Sequence, residues 1–238
     1  MAGGSRVAGR SGHNAAMRTL DWLLHTRKHP SAVLLLVQLG AMLAYPFIED
    51  THLARIGLGV VGIVVLIVTT GMVRRTPGLA WVSAGIALPA IVLLVLQALW
   101  EVPQLLPWSS GLEAAFYFYA TSSLIAYMMA DWQATTDELF AAAATFTLLA
   151  WGFAYLFLML EALQPGCFTA AVDPEQPRTW TELMFLSFAL LSSTGIGDVI
   201  PISPVARALA AVEMFVGVMY IAAVVARLIG LTLHAQRP

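Results

Sequence analysis

The sequence predicts an all-α membrane protein with six transmembrane helices and one short helix that enters the membrane and turns back. Three observations carry this. Of 238 residues, 59% are hydrophobic and only 11% are charged, and the mean hydropathy is +0.80. A soluble domain carries nearer a quarter charged residues. Long apolar runs recur along the chain, each near or above the ~20 residues that a spanning helix needs. One further apolar run, residues 180–191, is too short to span and leads directly into a glycine-containing loop.

The six long segments lie at about 31–48, 55–73, 79–100, 112–130, 138–161 and 204–233. The first is the shortest and contains Pro46. Residues 1–30 form a basic leader with Arg6, Arg10, Arg18, Arg27 and Lys28. Within it, residues 14–28 can form an interfacial helix with Met17, Leu20, Leu23 and Leu24 on one side. A disordered leader is the alternative for residues 1–13. No apolar core followed by a small-residue cleavage site marks a signal peptide.

Charge placement sets the orientation. With the N-terminus inside, the cytoplasmic segments hold the five leader cations, Arg74, Arg75 and Arg237, with Arg227 near the inner end of the last helix. The outer segments hold Arg55, Arg178 and Arg207. That asymmetry follows the positive-inside rule and places both termini in the cytoplasm. Glu49, Asp50, Glu101, Glu113, Asp173, Glu175 and Asp198 are expected outside. The acidic inner stretch from Asp131 to Glu138 fits poorly, although acids weigh little in this rule.

Other motifs read as structural. Gly57-Leu-Gly-Val-Val-Gly62 matches a dinucleotide fingerprint but lies inside a spanning segment, without the strand before it or the acid after it. Close helix packing through small residues is the better reading. His13, His25, His29, His52 and His234 have no partner at metal-ligand spacing. The lone Cys167 is expected to be an inert thiol, with an intermolecular bridge as the alternative. Arg74-Arg75 and the leader are expected to sit against anionic lipid, with no nucleic-acid partner.

The chain is organised around Ser192-Ser-Thr-Gly-Ile-Gly-Asp198. Thr179-Trp-Thr-Glu182 reads as a capping box that starts the short helix before it. Ser203-Pro204 reads as the N-cap and first-turn proline of the last helix. The order is short apolar helix, S-T-G-I-G-D, then spanning helix. It resembles the pore loop of tetrameric potassium channels, whose signature is T-V-G-Y-G-D. The resemblance covers about Glu138 to Gly230 and is closest to bacterial potassium channel family proteins. Their last helix ends in Y-x-A-x-x-V-A-R-L-x-G, matched here from Tyr220 to Gly230 with Ala222, Val225, Ala226 and Arg227 in register. Arg207 and Gly217 fall where many simple potassium channels carry an arginine and a hinge glycine.

The resemblance implies a homotetramer in a bacterial plasma membrane, passing potassium through one shared pore. It divides the chain into the leader 1–30, a four-helix peripheral domain 31–133 and a pore domain 134–238. The pore domain comprises helix 5, the pore helix 180–191, the filter 193–198 and helix 6. Ser193, Thr194, Gly195, Ile196 and Gly197 would bind K⁺, largely through backbone carbonyls that replace its hydration shell. Inward carbonyls require backbone angles that suit glycine at 195 and 197. Ser193 can add a hydroxyl ring at the inner end, and Asp198 a carboxylate ring at the outer mouth. The pore helix would point its negative C-terminal end at the pore centre.

Gly217, Val218, Ile221 and Val225 are expected to line the cavity or gate, with Ile229 continuing the stripe at helical spacing. Glu213 lies five positions before Val218, hence roughly 140° round the helix, facing the pore helix or helix 5. A carboxylate at that depth hints at function. Many simple potassium channels have a pore-helix acid nine residues before the filter aspartate, and here that position is Ala189. Glu213 is therefore expected to replace it, bonding hydroxyls such as Ser192 or Thr194 and supporting the filter. The bland alternative is a protonated carboxyl bonded to a neighbouring hydroxyl.

The chain departs from the family at Thr194, in place of an aliphatic residue, and at Ile196, in place of tyrosine. A weakly selective monovalent cation channel therefore stays open as an alternative. So, less well supported, does a multi-pass secondary transporter, although the two halves show no repeat. The fourth segment contains no Arg or Lys, which removes the basis for voltage sensing. The chain ends within about five residues of the last segment, so no ligand-sensing domain is expected there. No enzymatic activity and no cofactor beyond the permeant ion are expected. Membrane lipids and monovalent cations are the remaining partners.

Overall fold

The computed structural model describes residues 30–45, 63, 67, 69–71, 80–100, 103–129 and 136–235. The basic leader, most of the second apolar segment with its glycine motif, Arg74-Arg75, Asp131 and all histidines but His234 lie outside the described residues. The described elements are α1 (Pro30–Ala44), α2 (Ala80–Trp100), α3 (Leu106–Met128), α4 (Thr136–Leu163), β1 (Phe168–Ala170), α5 (Trp180–Leu191), β2 (Val199–Pro201) and α6 (Pro204–Ala235). The chain is thus mainly α-helical. Two short strands pair antiparallel, Phe168 opposite Pro201, Thr169 opposite Ile200 and Ala170 opposite Val199.

Two helices are long and apolar enough to cross a membrane, Thr136–Leu163 and Pro204–Leu231 among the described residues. Helix α5 has 12 residues. At 1.5 Å per residue it is about 18 Å long, well short of a bilayer core. Helix α3 begins at Leu106, six residues before the apolar segment expected from 112. Pro107 explains the early start, because a proline in the first helical turn has no amide to leave unbonded.

That shift corrects the placement of Glu113. It was expected among the outer acids, but it lies in the second turn of α3 and is buried, beside Tyr117 and hydrogen-bonded to Tyr155. Helix α4 is the hub, packing against α1, α3, α5 and α6. Small residues let α3 and α4 approach closely: Ala114 and Ala120 on one, Ala144, Ala150 and Ala154 on the other, all buried. Gly152 sits under the Phe118 ring, which would lie 3.1 Å from an added Cβ. Tyr117 fills the seam between Trp151 and Tyr155, with ring centroids 5.6 Å from each. The expected boundary near 133 lies outside the described residues, but across it α3 and α4 pack along their lengths.

The acidic inner stretch has a structural use. Asp137 accepts the Ser31 amide at 3.1 Å and the Ser31 hydroxyl at 2.9 Å, so a carboxylate sits at the positive N-terminal end of α1. Glu138 pairs with Arg227 at 3.1 Å, joining the start of α4 to the C-terminal part of α6. One helical turn or two further along, the Tyr220 hydroxyl donates to the Ala142 carbonyl at 2.6 Å. Both acids are buried and partnered.

Candidate functional site: the loop between α5 and α6

The loop is framed by two well-capped helices. Thr179 accepts the Glu182 amide at 3.3 Å, and the Glu182 carboxylate accepts the Thr179 amide at 2.7 Å, the reciprocal capping box that the sequence predicts. Glu182 also pairs with Arg178 at 2.9 Å. The buried Arg178 guanidinium donates to the carbonyls of Val172, Asp173 and Gln176, closing the outer loop over the start of α5. At the far side, Ser203 accepts the Ala206 amide at 3.2 Å, capping α6 before Pro204.

Helix α5 ends in a Schellman motif. The Ser193 amide donates to the Leu190 carbonyl at 3.0 Å and the Thr194 amide to the Ala189 carbonyl at 3.0 Å. The Gly195 amide shares that Ala189 carbonyl at 3.1 Å. Ser193 takes the left-handed position, with φ of 58°, and Gly195 follows with φ of 68°. The expectation of special angles at both glycines is therefore corrected: Gly195 adopts one, Gly197 does not, and Ser193 does instead. The cause is the helix end, which needs a left-handed residue where the chain turns away from the helix.

From Ser193 to Asp198 every residue is exposed in the single chain. The segment 194–197 belongs to no helix or strand. Asp198 stands at its C-terminal end, and its carbonyl accepts the Ala171 amide at 3.0 Å. Val199 is then buried at the start of β2. The polar loop from Gln164 to Arg178, which the sequence leaves open as an outer turret or a plain solvated linker, supplies β1, the strand that pairs with β2 beyond Asp198. Cys167 is buried there, and its thiol donates to Glu161 at 3.1 Å. Burial, and then the adjoining Glu161 carboxyl, push the thiol pKa up to about 12, so it stays a donor and a poor nucleophile.

Glu213 is fully buried and reaches α5, as its angular position predicts, but its partner differs from the expected one. The Ser187 hydroxyl meets Glu213 Oε1, and the same hydroxyl lies 2.8 Å from the Ala150 carbonyl on α4. Ser187 is thus the pin between three helices, a residue that sequence reasoning missed. Its signal was present: it is the one hydroxyl in the middle of an apolar 12-residue helix. Ser192 and Thr194, the expected partners, bond each other at 2.6 Å, and Ser192 also donates to the Phe188 carbonyl at 2.6 Å. Glu213 Oε2 has no hydrogen-bond partner among the described residues.

Val218, Ile221 and Val225 form an exposed stripe with Ile229, turned away from the chain's own α4 and α5. Gly217 does not join them, which corrects its assignment to the cavity lining. It is buried against the last turn of α5, where an added Cβ would lie 2.1 Å from the Leu191 carbonyl oxygen. Its missing side chain is what lets α6 touch the helix end from which the loop departs.

Residues 143–233 match the family model described as ion channel. The match runs from α4 through the loop to α6 and supports an ion-channel function. With the two apolar helices, it makes this a membrane protein. No curated protein and no solved structure matches the chain significantly.

The two glycines of α6 give opposite expectations. Gly217→Ala forces a Cβ into backbone and should lower stability by about 1–3 kcal/mol. At Gly230 an added Cβ meets nothing within 4 Å, so Gly230→Ala should be neutral or stabilising by about 0.5–1 kcal/mol. Thermal melting of the two purified variants in detergent checks the contrast.

Proposed function

We propose that this chain is one subunit of a tetrameric potassium channel, with six spans and both termini cytoplasmic, passing K⁺ passively across a bacterial plasma membrane. The observation that carries the reading is the exposed segment Ser193–Asp198, suspended between a capped helix too short to span and a pinned strand. One strand cannot enclose an ion, so four copies would place their 193–197 carbonyls around a common axis. The exposed stripe of Val218, Ile221 and Val225 would then line the cavity below. Asp198 would form the outer carboxylate ring.

A weakly selective cation channel is the second reading. It is favoured by the Thr194 side chain, which bonds Ser192 at 2.6 Å where an aliphatic residue would pack. Single-channel recording from purified protein in K⁺ and Na⁺ gradients separates the two. A reversal potential near the K⁺ equilibrium value supports the first reading, and one near zero the second. Slow, saturating flux would point to a transporter. Mass measurement in nanodiscs should give a tetramer, and a stable monomer as the sole species would sink the pore arrangement.

Conduction should be nearly independent of voltage. Helices α1, α2 and α3 contain no Lys or Arg, and gating energy scales with charge moved through the field. Open probability recorded over a wide voltage range should stay within about twofold, since moving even one charge through 100 mV supplies ~2.3 kcal/mol.

Glu213 would support the filter through Ser187 and the pore helix. Glu213→Gln keeps the shape and should leave selectivity intact. Glu213→Ala leaves a void and an unpaired partner, costing about 1–3 kcal/mol in tetramer melting, and should reduce K⁺ over Na⁺ selectivity. Equal behaviour of both variants and wild type would make the residue an incidental helix contact.

A further inference from the structure

One end of the filter segment is held by the end of helix α5, and its other end is held as a strand that also touches α5 and α6. That strand is β2, and β2 pairs with nothing but β1 among the described elements. β1 is therefore the strand partner that braces the filter exit, beside the contacts of β2 with α5 and α6. Beyond the ladder itself, the Ala171 amide holds the Asp198 carbonyl at 3.0 Å. The Cys167 carbonyl accepts the amides of Ile202 at 2.9 Å and Ser203 at 3.3 Å. Phe168 and Val199 bury their side chains beneath the ladder, Phe168 meeting the Phe157 ring of α4 at 5.2 Å.

The start of β1 is tied to one side chain. Glu161, in the last turn of α4, is 5% exposed. Its Oε1 accepts the Gly166 amide at 3.2 Å, and its Oε2 accepts the Cys167 thiol at 3.1 Å and the Phe168 amide at 3.4 Å. Three consecutive residues thus converge on one carboxylate at the end of helix α4. We propose that Glu161 is a positioning residue for the filter, fixing its outer end through the 166–168 turn and the β1–β2 ladder. The inference rests on the channel reading for its functional half. The anchor itself is geometry within one chain.

The chemistry makes the two residues separable. A glutamine at 161 has one acceptor oxygen and presents an amide nitrogen to groups that are themselves donors, so at least one bond is lost. A serine at 167 retains a donor, whereas a valine keeps the volume and has none. The test uses the full-length protein in liposomes and two readouts. Hydrogen exchange of segments 166–171 and 199–203 should quicken about tenfold or more in Glu161→Gln and in Cys167→Val, as loss of a bond to a charged group implies. It should stay within about twofold in Cys167→Ser. In the same vesicles the K⁺ over Na⁺ permeability ratio should fall in the first two variants and be kept in the third. If Glu161→Gln does not assemble, the Cys167 pair carries the comparison alone. Unchanged exchange in Cys167→Val and Glu161→Gln, or damage in Cys167→Ser equal to that in Cys167→Val, overturns the anchor. Faster exchange with an unaltered permeability ratio overturns its role in positioning the filter. If wild type passes no monovalent cation, the channel reading fails while the exchange data still decide the anchor.

Discussion

A backbone segment that belongs to no helix or strand leaves most of its carbonyls without partners in its own chain, and most of what is ordered around residues 193–198 holds such a segment by its ends. Buried backbone groups are otherwise almost always paired. Here the amides of Ser193, Thr194 and Gly195 are spent on the end of α5, and the Asp198 carbonyl on Ala171. The carbonyls between them are left to whatever occupies the space they face. The segment is held by its ends, and each end is braced by a buried acid: Glu213 through Ser187 at the inner side, Glu161 through the 166–168 turn at the outer.

A third and a fourth acid do similar work on the opposite side. Asp137 holds the start of α1 and Glu138 holds Arg227 of α6. All four are buried, and three of them sit on α4. This explains why α4 is the hub: it contributes both small residues for close packing and the carboxylates that fasten its neighbours' ends. Glu113 adds a buried acid between α3 and α4. The peripheral helices are therefore joined to the channel-like region by polar ties as well as by the aromatic seam around Tyr117. Any motion of α1 or α3 would act on α4 first.

Local signals were readable from sequence and distant ones were not. The capping box at Thr179, the Ser203-Pro204 start and the bounds of the 180–191 helix depend on neighbours a few residues apart, and the structure has them where the pattern puts them. The angular position of Glu213 followed from helix geometry, so its facing α5 was legible while its partner was not. Ser187 within α5 and Ser192 at its C-terminal cap are equally plausible hydroxyls from sequence, and only the crossing of α5 over α6 chooses between them. The β1–β2 ladder joins residues about thirty apart through two three-residue strands, too short for alternation to register. Gly217 was misread because a glycine in a helix is compatible with a hinge or a contact, and only the position of Leu191 distinguishes them.

The exposed surface of α6 does not by itself demand a partner. Val212, Phe215 and Met219 on one side and Val218, Ile221 and Val225 on another could all face lipid. Residues 193–198 could not. In hydrocarbon each unpaired backbone polar group costs several kcal/mol, which is why irregular backbone at membrane depth occurs only against protein or water. At membrane depth, where the channel reading puts it, the exposed loop would have to open onto a water-filled or partner-lined space. A single chain offers no wall for such a space on that side, since α5 and α6 lie behind the loop and the described residues place nothing before it. In the tetramer proposed above, further copies of the same loop would supply the wall, and they would also bury the second face of α6. The loop that needs an enclosure and the helix that can line one are adjacent in sequence, so symmetric assembly meets both requirements with a single interface.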